Sequence, residues 1–573
     1  MGSLATVAKP WWKDAVVYQV WPASFNDTNH DGVGDIRGVI ESLDHIQSVG
    51  ADTVWMCPIY ASPRVDFGYD ISDYEAIDPN FGTMADVDDL MQECHNRGMK
   101  FIMDLVINHT SDQHKWFQES RSSKTNPKRD WYIWRPAKYD DQGHRIPPNN
   151  WRSNFVGSAW TWDETTQEYY LHLFAPEQPD LNWDNLEMRK AVYDSAVRFW
   201  LEKGIDGFRI DTMTIYSKNP ALPDAPITDP TSAWQSGRKW YGDQPKVFEI
   251  LKEITAITSE YGEKMTVGEF GALKNLDVAL DYVGASNRCV GMGFQFETVC
   301  IGYALNHWHI RDFSLQEFKQ TFGKWQQFVE GTDGWTCVFL ENHDIARSVS
   351  RFGNDSPKFR ATSAKMLAVL LATATGTLFL YQGQEIGMTN VPESWPIEEY
   401  LDISSQNYWK SVKAATDDKA VLDAAMANIR KVARDHARTP VQWSGKPHGG
   451  FTTSGTGPWI RTNDNYVDIN VEKQAHDPES VLSFWKQMLS LRKQYSDIFV
   501  HGTWRTVDVE NPATMTFVKQ AEGEKALVVL NFTDQPQPVK IPEDFRGSKP
   551  LITNLNQWYP ETLSAYEGRV YVA

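Results

Sequence analysis

Apolar runs recur along the chain and alternate with segments whose apolar residues fall at helical spacing. The runs are almost continuously hydrophobic, as strands covered on both faces should be. Eight such strands are predicted, at 16–25, 51–59, 99–109, 205–212, 265–270, 293–299, 335–344 and 377–386. One intervening helical face is formed by Val87, Leu90, Met91 and Cys94, and another by Val192, Ala196, Phe199 and Trp200. Alternation of eight strands with helices predicts a (β/α)8 TIM barrel of the α/β class.

Two parts of the chain do not follow this alternation. A Trp-, Pro- and Asn-rich stretch separates the third strand from the fourth, and short alternating strands follow residue 497. We therefore predict a barrel in two parts, 1–110 and 178–497. The small inserted domain is expected over the barrel mouth at 111–177, and a C-terminal antiparallel β-sandwich domain at 498–573. An irregular stretch at about 388–470 is expected to carry helical runs and Gly/Pro-rich loops.

Composition narrows the range of partners. Of the 573 residues, 41% are hydrophobic and 23% charged, which is typical of a globular protein. A net charge of −19 argues against nucleic acid as a partner, because phosphate binding needs clustered Lys and Arg. The 24 Trp, 22 Tyr and 27 Phe supply flat apolar faces, which suit either sugar rings or a large core.

Three predicted strands end in acidic residues. Asp211 closes the fourth strand, Glu269 the fifth and Asp344 the seventh. The carboxyl ends of barrel strands form the active-site face. A pair of carboxylates there matches hydrolysis of a sugar bond through a positively charged transition state, with one acid as nucleophile and one as proton donor.

Arg209 suggests how the two roles divide. It lies two residues before Asp211, so on a strand both side chains point to the same face. A guanidinium there favours the charged form of Asp211. This assigns the nucleophile to Asp211 and leaves Glu269 as the general acid/base.

The segments that contain these acids, at 207–211, 268–269 and 341–344, resemble the α-amylase family of glycoside hydrolases (family 13), in its oligo-1,6-glucosidase and maltase branch. The similarity runs essentially end to end. It is carried by Asp-Leu-Val-Ile-Asn-His at 104–109, Gly-Phe-Arg-Ile-Asp at 207–211, Gly-Glu at 268–269 and Glu-Asn-His-Asp at 341–344. Further matches are the opening 11–35, Phe-Gly-Tyr-Asp at 67–70, Gln-Pro-Asp-Leu-Asn at 178–182 and Ala-Arg-Thr-Pro at 437–440.

The resemblance implies a role for each matching residue. Asp211 would be the nucleophile, Glu269 the acid/base and Asp344 the third carboxylate, which grips the sugar hydroxyls. His109, Arg209 and His343 would line the same subsite. Asp70 and Arg438 would hold the terminal glucose and close the pocket, which implies exo action. Tyr69 and Phe174 are candidate platforms for the sugar ring, or else packing residues.

Linkage preference depends on the residue after the nucleophile. In this branch it resembles Thr or Ala in α-1,4-acting maltases and Val in α-1,6-acting isomaltases, and here it is Thr212. We therefore expect a retaining α-glucosidase acting on maltose and short maltooligosaccharides. The alternatives are an α-1,6-preferring isomaltase, a sucrose-acting transglucosylase or isomerase, and a non-catalytic ancillary subunit. Ile345 stands where the family has Gln, which leaves acceptor-side specificity open.

A polar loop after the first strand suggests a metal site. It places oxygen ligands at alternating positions around a glycine-containing turn, which suits Ca²⁺: Asp27, Asn29, Asp31, Val33 and Asp35. The loop is not an EF-hand, and an Asx-rich turn is the alternative interpretation. The family carries a metal here, so the resemblance implies a structural Ca²⁺ ion.

The remaining expectations concern assembly and location. No secretory signal or membrane-spanning apolar run is evident, and the five cysteines are scattered without metal-binding spacing. We expect a cytoplasmic monomer or weak homo-oligomer with small-molecule substrates and no membrane or nucleic-acid partner.

Overall fold

Eight short parallel strands form the centre of the computed structural model, which describes residues 9–273, 275–303 and 308–573. In chain order they are β1 (Val16–Val20), β2 (Thr53–Met56), β3 (Lys100–Leu105), β4 (Gly207–Ile210), β5 (Met265–Glu269), β6 (Met292–Phe294), β7 (Cys337–Val338) and β8 (Thr377–Tyr381). Hydrogen-bonded neighbours follow the order β6-β5-β4-β3-β2-β1-β8-β7, and β6 lies beside β7. The sheet is therefore a nearly closed barrel, and the predicted TIM-barrel fold is confirmed.

Helices surround this barrel. The α-helices are Ile36–Glu41, Leu43–Val49, Met84–Asn96, Lys115–Ser122, Leu186–Val192, Phe199–Lys203, Arg238–Tyr241, Pro245–Ser259, Leu276–Val283, Leu315–Gln327, Ser348–Phe352, Arg360–Ala372, Ile403–Ala415, Lys419–Val432, Asp435–Arg438, Val471–Ala475, Val481–Gln494 and Ser496–Phe499. Short 3-10 turns lie at Trp11–Lys13, Pro22–Ser24, Arg129–Trp131, Met213–Ile215, Gln384–Ile386, Ile397–Glu399, Pro447–Gly450, Asp464–Val467 and Glu543–Phe545.

The first predicted helical face is buried, and the second is buried except at Phe199. Val87, Leu90, Met91 and Cys94 are the buried residues of the helix Met84–Asn96. In the second segment a π-helical stretch, Tyr193–Arg198, interrupts the helix. Its wider turn shifts the buried face, so that Phe199 is only half-buried.

The stretch between β3 and β4 carries its own small sheet. Three antiparallel strands, Trp134–Arg135, Glu168–Leu171 and Trp160–Asp163, lie side by side, and a short hairpin pairs Lys138–Tyr139 with Arg145–Ile146. Their aromatic core also includes Ile215, Leu222 and Tyr241, which come from the chain after β4. The inserted segment is thereby anchored to a loop that leaves the active-site end of the barrel.

The C-terminal region is an antiparallel sheet. It orders the strands Thr503–Thr506, Thr514–Ala521, Glu524–Asn531, Gly568–Val572 and Ile552–Thr553, and a second small sheet pairs Gln537–Pro538 with Thr562–Leu563. The predicted C-terminal antiparallel β domain is confirmed. No helix in the described ranges is long and apolar enough to span a membrane.

Candidate active site

The three predicted carboxylates lie at one end of the barrel. Glu269 is the last residue of β5, Asp211 immediately follows β4, and Asp344 lies on the loop after β7. Their side chains are 12%, 8% and 27% exposed, respectively. All three are therefore accessible from a site that is otherwise largely shielded from water.

Arg209 joins acids from three adjacent strands. Its side chain is 1% exposed, and Nη1 donates to Asp211 Oδ1 at 2.7 Å and to Asp104 Oδ1 at 2.6 Å. Nη2 contacts Glu269 Oε1. This follows from strand register, since Arg209 on β4 pairs with Asp104 on β3 and with Val267 on β5, two residues before Glu269.

Because the guanidinium contacts both Asp211 and Glu269, its position does not by itself separate nucleophile from acid. Thr212 also contacts both acids, through different groups. Its hydroxyl donates to Asp211 Oδ2 at 3.1 Å, and its backbone N–H donates to Glu269 Oε2 at 3.1 Å. Thr212 adopts φ 42° and ψ 35°, a left-handed conformation that is strained for a β-branched residue.

Asp104 is a site residue that the sequence argument did not single out. It is fully buried and accepts a hydrogen bond from Trp55 Nε1 at 2.7 Å. Burial raises the pKa of Asp104 to about 7, although Arg209 opposes the shift. Its register opposite Arg209, inside the matched segment 104–109, was the signal that could have identified it.

Asp344 has a separate set of cationic partners. Arg438 Nη2 lies 2.9 Å from Asp344 Oδ1 and Arg434 Nη1 lies 3.1 Å from the same oxygen. His343 Nε2 is 3.1 Å from Asp344 Oδ2. Burial alone would raise the pKa of Asp344, but His343 and the two guanidinium groups together hold it well below the usual value.

His343 is fixed by polar and aromatic neighbours. Gln19 Nε2 lies 2.8 Å from its Nδ1, and Tyr69 Oη lies 2.8 Å from its Nε2. Trp21 stacks on the imidazole with ring centroids 5.3 Å apart, and Tyr69 does so at the same distance. Burial lowers the pKa of His343 to about 4, so the ring is neutral at neutral pH.

His109 and Phe174 lie on the other side of Tyr69. His109 Nε2 is 3.0 Å from the Tyr69 backbone oxygen, and the His109 and Phe174 rings are 5.2 Å apart. The structure therefore places His109, Tyr69, Phe174 and His343 around one region. Which of the rings contacts a sugar stays a prediction.

Asp70 and Arg438 are not joined by a hydrogen bond or ion pair in the described structure. Asp70 is buried and accepts the backbone N–H groups of Val65 and Asp66, so it braces its own loop. Asp66 instead contacts Arg434, with Oδ1 3.2 Å from Arg434 Nη2. Burial raises the pKa of Asp66 to about 7.

The site holds more acids than cations. Six carboxylates are connected by direct ion pairs to three guanidinium groups; the acids are Asp66, Asp104, Asp211, Glu269, Asp344 and Asp402, and the cations Arg209, Arg434 and Arg438. Excess negative charge in a water-poor pocket stabilises a substrate that becomes positive in its transition state.

In the predicted metal loop, side-chain oxygens accept hydrogen bonds from backbone N–H groups. Asp27 accepts the N–H groups of His30 at 2.7 Å and Gly32 at 2.9 Å. Asp35 caps the helix Ile36–Glu41 by accepting from Gly38 N–H at 2.7 Å. Asp31 Oδ1 accepts the Val33 N–H at 2.8 Å, and Asn29 Oδ1 accepts the Asp31 N–H at 3.0 Å.

Among the described residues, no three His, Cys, Asp or Glu side chains are grouped so as to hold a metal ion. The arrangement is an Asx-rich turn whose oxygens retain free lone pairs.

Known proteins resemble this chain over almost its whole length. The catalytic-domain model of α-amylase matches residues 19–502. An α-glucosidase of Candida albicans is 50% identical in sequence, and the alignment covers 98% of this chain and 99% of that protein. The oligo-1,6-glucosidase IMA2 of Saccharomyces cerevisiae is 43% identical, and the alignment covers 98% of both proteins.

A solved structure is similar throughout as well. A variant of isomaltulose synthase from Erwinia rhapontici, in complex with its natural substrate sucrose, superposes with a TM-score of 0.92. Its sequence is 36% identical, and the superposition covers 98% of this chain and 99% of the synthase chain. The chain therefore belongs to the α-amylase family of glycoside hydrolases.

Proposed function

We propose that this protein is a retaining, exo-acting α-glucosidase that releases glucose from the non-reducing ends of maltose and short α-1,4-linked oligosaccharides. The observation that carries the proposal is the shared guanidinium of Arg209. It contacts Asp211 and Glu269 at the carboxyl ends of neighbouring strands. Asp344 is instead paired with Arg434 and Arg438.

In the first step Asp211 attacks the anomeric carbon while Glu269 protonates the leaving oxygen. The carbon–oxygen bond to the leaving sugar breaks, and a glucosyl ester with Asp211 forms. Glu269 then removes a proton from water, the resulting oxygen attacks the anomeric carbon, and Asp211 leaves as a carboxylate. Two inversions return the original α configuration.

The contacts around the two acids fit this sequence of steps. Arg209 and the Thr212 hydroxyl each hold one oxygen of Asp211, which orients the carboxylate. Glu269 must carry a proton to act as an acid, whereas a guanidinium favours its charged form. We therefore infer that entry of the sugar replaces the Arg209–Glu269 contact with a bond from Glu269 to the leaving oxygen.

Asp344 and His343 are proposed to grip hydroxyl groups of the glucose that is released. Asp344 stays ionised because its pKa is depressed, so it can accept two hydroxyl protons. Arg434, which contacts Asp344, also forms ion pairs with Asp66 and Asp402. We propose that they close the pocket at this end, which favours removal of one glucose at a time.

α-1,4 preference is the finer part of the proposal. It is supported by Thr212, whereas relatives named α-glucosidase and relatives named oligo-1,6-glucosidase both reach at least 43% identity. The test is glucose release from maltose, isomaltose and sucrose in parallel, with Asp211→Asn as control. Fast release from maltose, slow release from isomaltose and none by the variant is the expected result.

Other outcomes would select a different function. Isomaltose preferred over maltose would make the enzyme an isomaltase and leave the catalytic acids unchanged. Isomerised disaccharide formed from sucrose, identified by chromatography, would favour the chemistry of the isomaltulose synthase neighbour. No turnover of any sugar would support the non-catalytic alternative.

We also propose a structural Ca²⁺ ion on the loop 27–35. The support is its set of side-chain oxygens from Asp27, Asn29, Asp31 and Asp35, with the Val33 carbonyl oxygen between them, since such hard donors are those that Ca²⁺ prefers. If the ion binds, chelation lowers the denaturation midpoint and added Ca²⁺ restores it, while Asp31→Ala removes the response. An identical midpoint with chelator and with Ca²⁺ would show that the loop folds without the ion.

A cytoplasmic location is proposed as well. All five cysteines are free thiols, and Cys57, Cys94, Cys289 and Cys337 are buried, a pattern typical of a reducing compartment. Fractionation of the source cells with antibody detection tests this.

A further inference from the structure

Asp402 is a buried acid outside the predicted site that contacts both arginines on Asp344. Its side chain is fully shielded from solvent. Oδ2 lies 2.6 Å from Arg434 Nη2 and 2.9 Å from Arg438 Nη1. Asp402 therefore compensates the two guanidinium groups from a position shielded from solvent, whereas Asp344 is 27% exposed.

Each guanidinium uses a different nitrogen for each acid. Arg434 reaches Asp344 through Nη1 and Asp402 through Nη2, whereas Arg438 reaches Asp344 through Nη2 and Asp402 through Nη1. Such a two-by-two arrangement fixes the planes of both arginines, because a guanidinium donates in fixed directions. Asp344 then receives both donors on a single oxygen, Oδ1, and keeps Oδ2 toward His343.

We propose that Asp402 is a positioning residue for catalysis, which holds Arg434 and Arg438 so that they orient Asp344 toward the sugar. The inference rests on the proposed function, specifically on Asp344 gripping the substrate. Asp402 itself lies behind the arginines and acts only through them.

The backbone fixes Asp402 in turn. Asp402 is the N-cap of the helix Ile403–Ala415, where Oδ1 accepts the N–H of Ser404 at 2.9 Å and of Ser405 at 3.3 Å. Its own N–H donates to Asp435 Oδ1 at 2.9 Å. One oxygen thus caps the helix while the other holds the arginines, so a long helix sets the position of the pair.

A purely structural role of Asp402 as a helix cap is the competing explanation. Asp402→Asn separates the two roles, because Asn caps helices as well as Asp does. The variant keeps the Oδ1 acceptor for the helix but presents an NH2 donor, or at best a neutral oxygen, to two guanidinium groups. It therefore removes the charged contact with Arg434 and Arg438 and leaves the helix cap in place.

Asp435→Asn is the matched control. Asp435 is equally buried and belongs to the same cluster of loops. Its Oδ1 accepts the N–H groups of Leu401 and Asp402, an acceptor that Asn retains, so the backbone of Asp402 stays held in the control. Its Oδ2 accepts from Ser405 Oγ, and neither oxygen contacts Arg434 or Arg438. A loss of activity caused by general loosening of this region should appear in both variants.

The experiment measures kcat and KM on maltose for the intact protein, together with thermal unfolding. Asp402→Asn is expected to lower kcat/KM about a hundredfold, mostly through kcat, because displacement of a group that binds the transition state costs about that much. Its denaturation midpoint should remain close to that of Asp435→Asn, and Asp435→Asn should retain activity within a few-fold of the parent. Equal losses in the two variants would overturn the proposal.

A double variant tests whether Asp402 acts through Asp344. With an activated aryl α-glucoside, Asp402→Asn added to Asp344→Asn should cause no further loss, since residues that act as a unit are not additive. A second, multiplicative loss would contradict the inference. If Asp344→Asn alone retained full activity, the proposed role of Asp344 would fail, and this inference with it.

Should Asp402→Asn not fold, Arg434→Lys serves in its place. A lysine keeps the charge but presents one nitrogen, which cannot contact both Asp344 and Asp402 in the observed geometry. The same hundredfold loss in kcat/KM is expected, and parent-like kinetics would refute the proposal.

Discussion

Replacement of Thr212 by Val tests the chemistry closest to the proposed nucleophile. Valine has nearly the same shape but lacks the hydroxyl that donates to Asp211 Oδ2 at 3.1 Å. The backbone N–H that reaches Glu269 remains in place. The variant therefore removes one contact to one catalytic carboxylate, and Thr212→Ser, which keeps the hydroxyl, is its matched control.

The expected magnitude follows from that single bond. A hydrogen bond to a charged group contributes about 1.5–3 kcal/mol, and each 1.4 kcal/mol corresponds to a factor of ten in rate. If the bond orients Asp211 for attack, kcat/KM on maltose should fall roughly 10- to 150-fold in Thr212→Val. Thr212→Ser should stay within a few-fold of the parent.

Maltose and isomaltose measured in parallel separate two effects of the same side chain. A bond to Asp211 changes both substrates alike, whereas contact with the leaving sugar changes their ratio. We expect both effects in Thr212→Val. The rate on maltose should fall, and the ratio of kcat/KM on isomaltose to kcat/KM on maltose should rise by an amount equivalent to about 1–3 kcal/mol.

Two results would refute this reasoning at different points. An unchanged rate on maltose would show that the hydroxyl does not orient Asp211. An unchanged isomaltose-to-maltose ratio would refute the assignment of α-1,4 preference to Thr212. Thr212→Gly adds a stability readout, since it relieves a left-handed conformation that costs about 1–3 kcal/mol; its denaturation midpoint should rise although its activity falls.

Three further predictions concern buried charges. Arg209→Met should lower kcat/KM at least a hundredfold and destabilise the protein by about 3–5 kcal/mol, since it leaves buried carboxylates without their cation. The kcat/KM of Arg209→Lys should lie between the values of the parent and Arg209→Met. Parent-like kinetics of either variant would contradict the proposal that Arg209 holds both catalytic carboxylates. Burial lowers the pKa of His172 to about 4, so the unfolded state binds more protons than the folded state between pH 6.5 and 4, and stability falls by about 1.4 kcal/mol per pH unit as pH decreases. Denaturant unfolding of His172→Gln against pH should show a correspondingly shallower slope than the parent, and an unchanged slope would contradict this assignment. Lys519 is fully buried, its pKa is held well below the usual value by burial, and its amine donates to Thr375 Oγ1. Lys519→Met removes this buried hydrogen bond and should lower stability by about 1–3 kcal/mol in the same assay. A raised midpoint would show that burial of the amine costs more than the bond contributes.

The barrel and its three acids were predictable because their physics is local. A strand covered on both faces appears in the sequence as an apolar run. One acid at the end of such a run can serve an ion pair, but three runs that each end in an acid indicate a shared active-site face. Asp211 and Glu269 therefore stand out from the sequence around them. Arg209 was predictable by strand alternation, but its contact with Glu269 was not, since that depends on the register between β4 and β5.

The arginine network was less visible for a physical reason. Asp66, Asp402 and Arg434 come from irregular segments that are far apart in the chain, where neither helical nor strand periodicity places a side chain. Only the folded loops show that Arg434 contacts Asp66, Asp344 and Asp402 at once. The conformation of Thr212 was similarly hidden, because a β-branched residue gives no sequence indication of positive φ.

The separation of the cations into two groups fits the proposed reaction. Asp211 and Glu269 must change their protonation or bonding during each turnover, and both are held by Arg209, a single side chain that can give up one contact and keep the other. Asp344 is proposed only to bind hydroxyl groups, and it is held by two arginines that Asp402 immobilises from behind. If one cation cluster served all three acids, each movement of Glu269 would disturb the grip on the sugar. Two clusters allow the reacting carboxylates to move while the sugar-binding carboxylate stays fixed, and the excess of acids over cations still favours the positive charge that forms on the sugar.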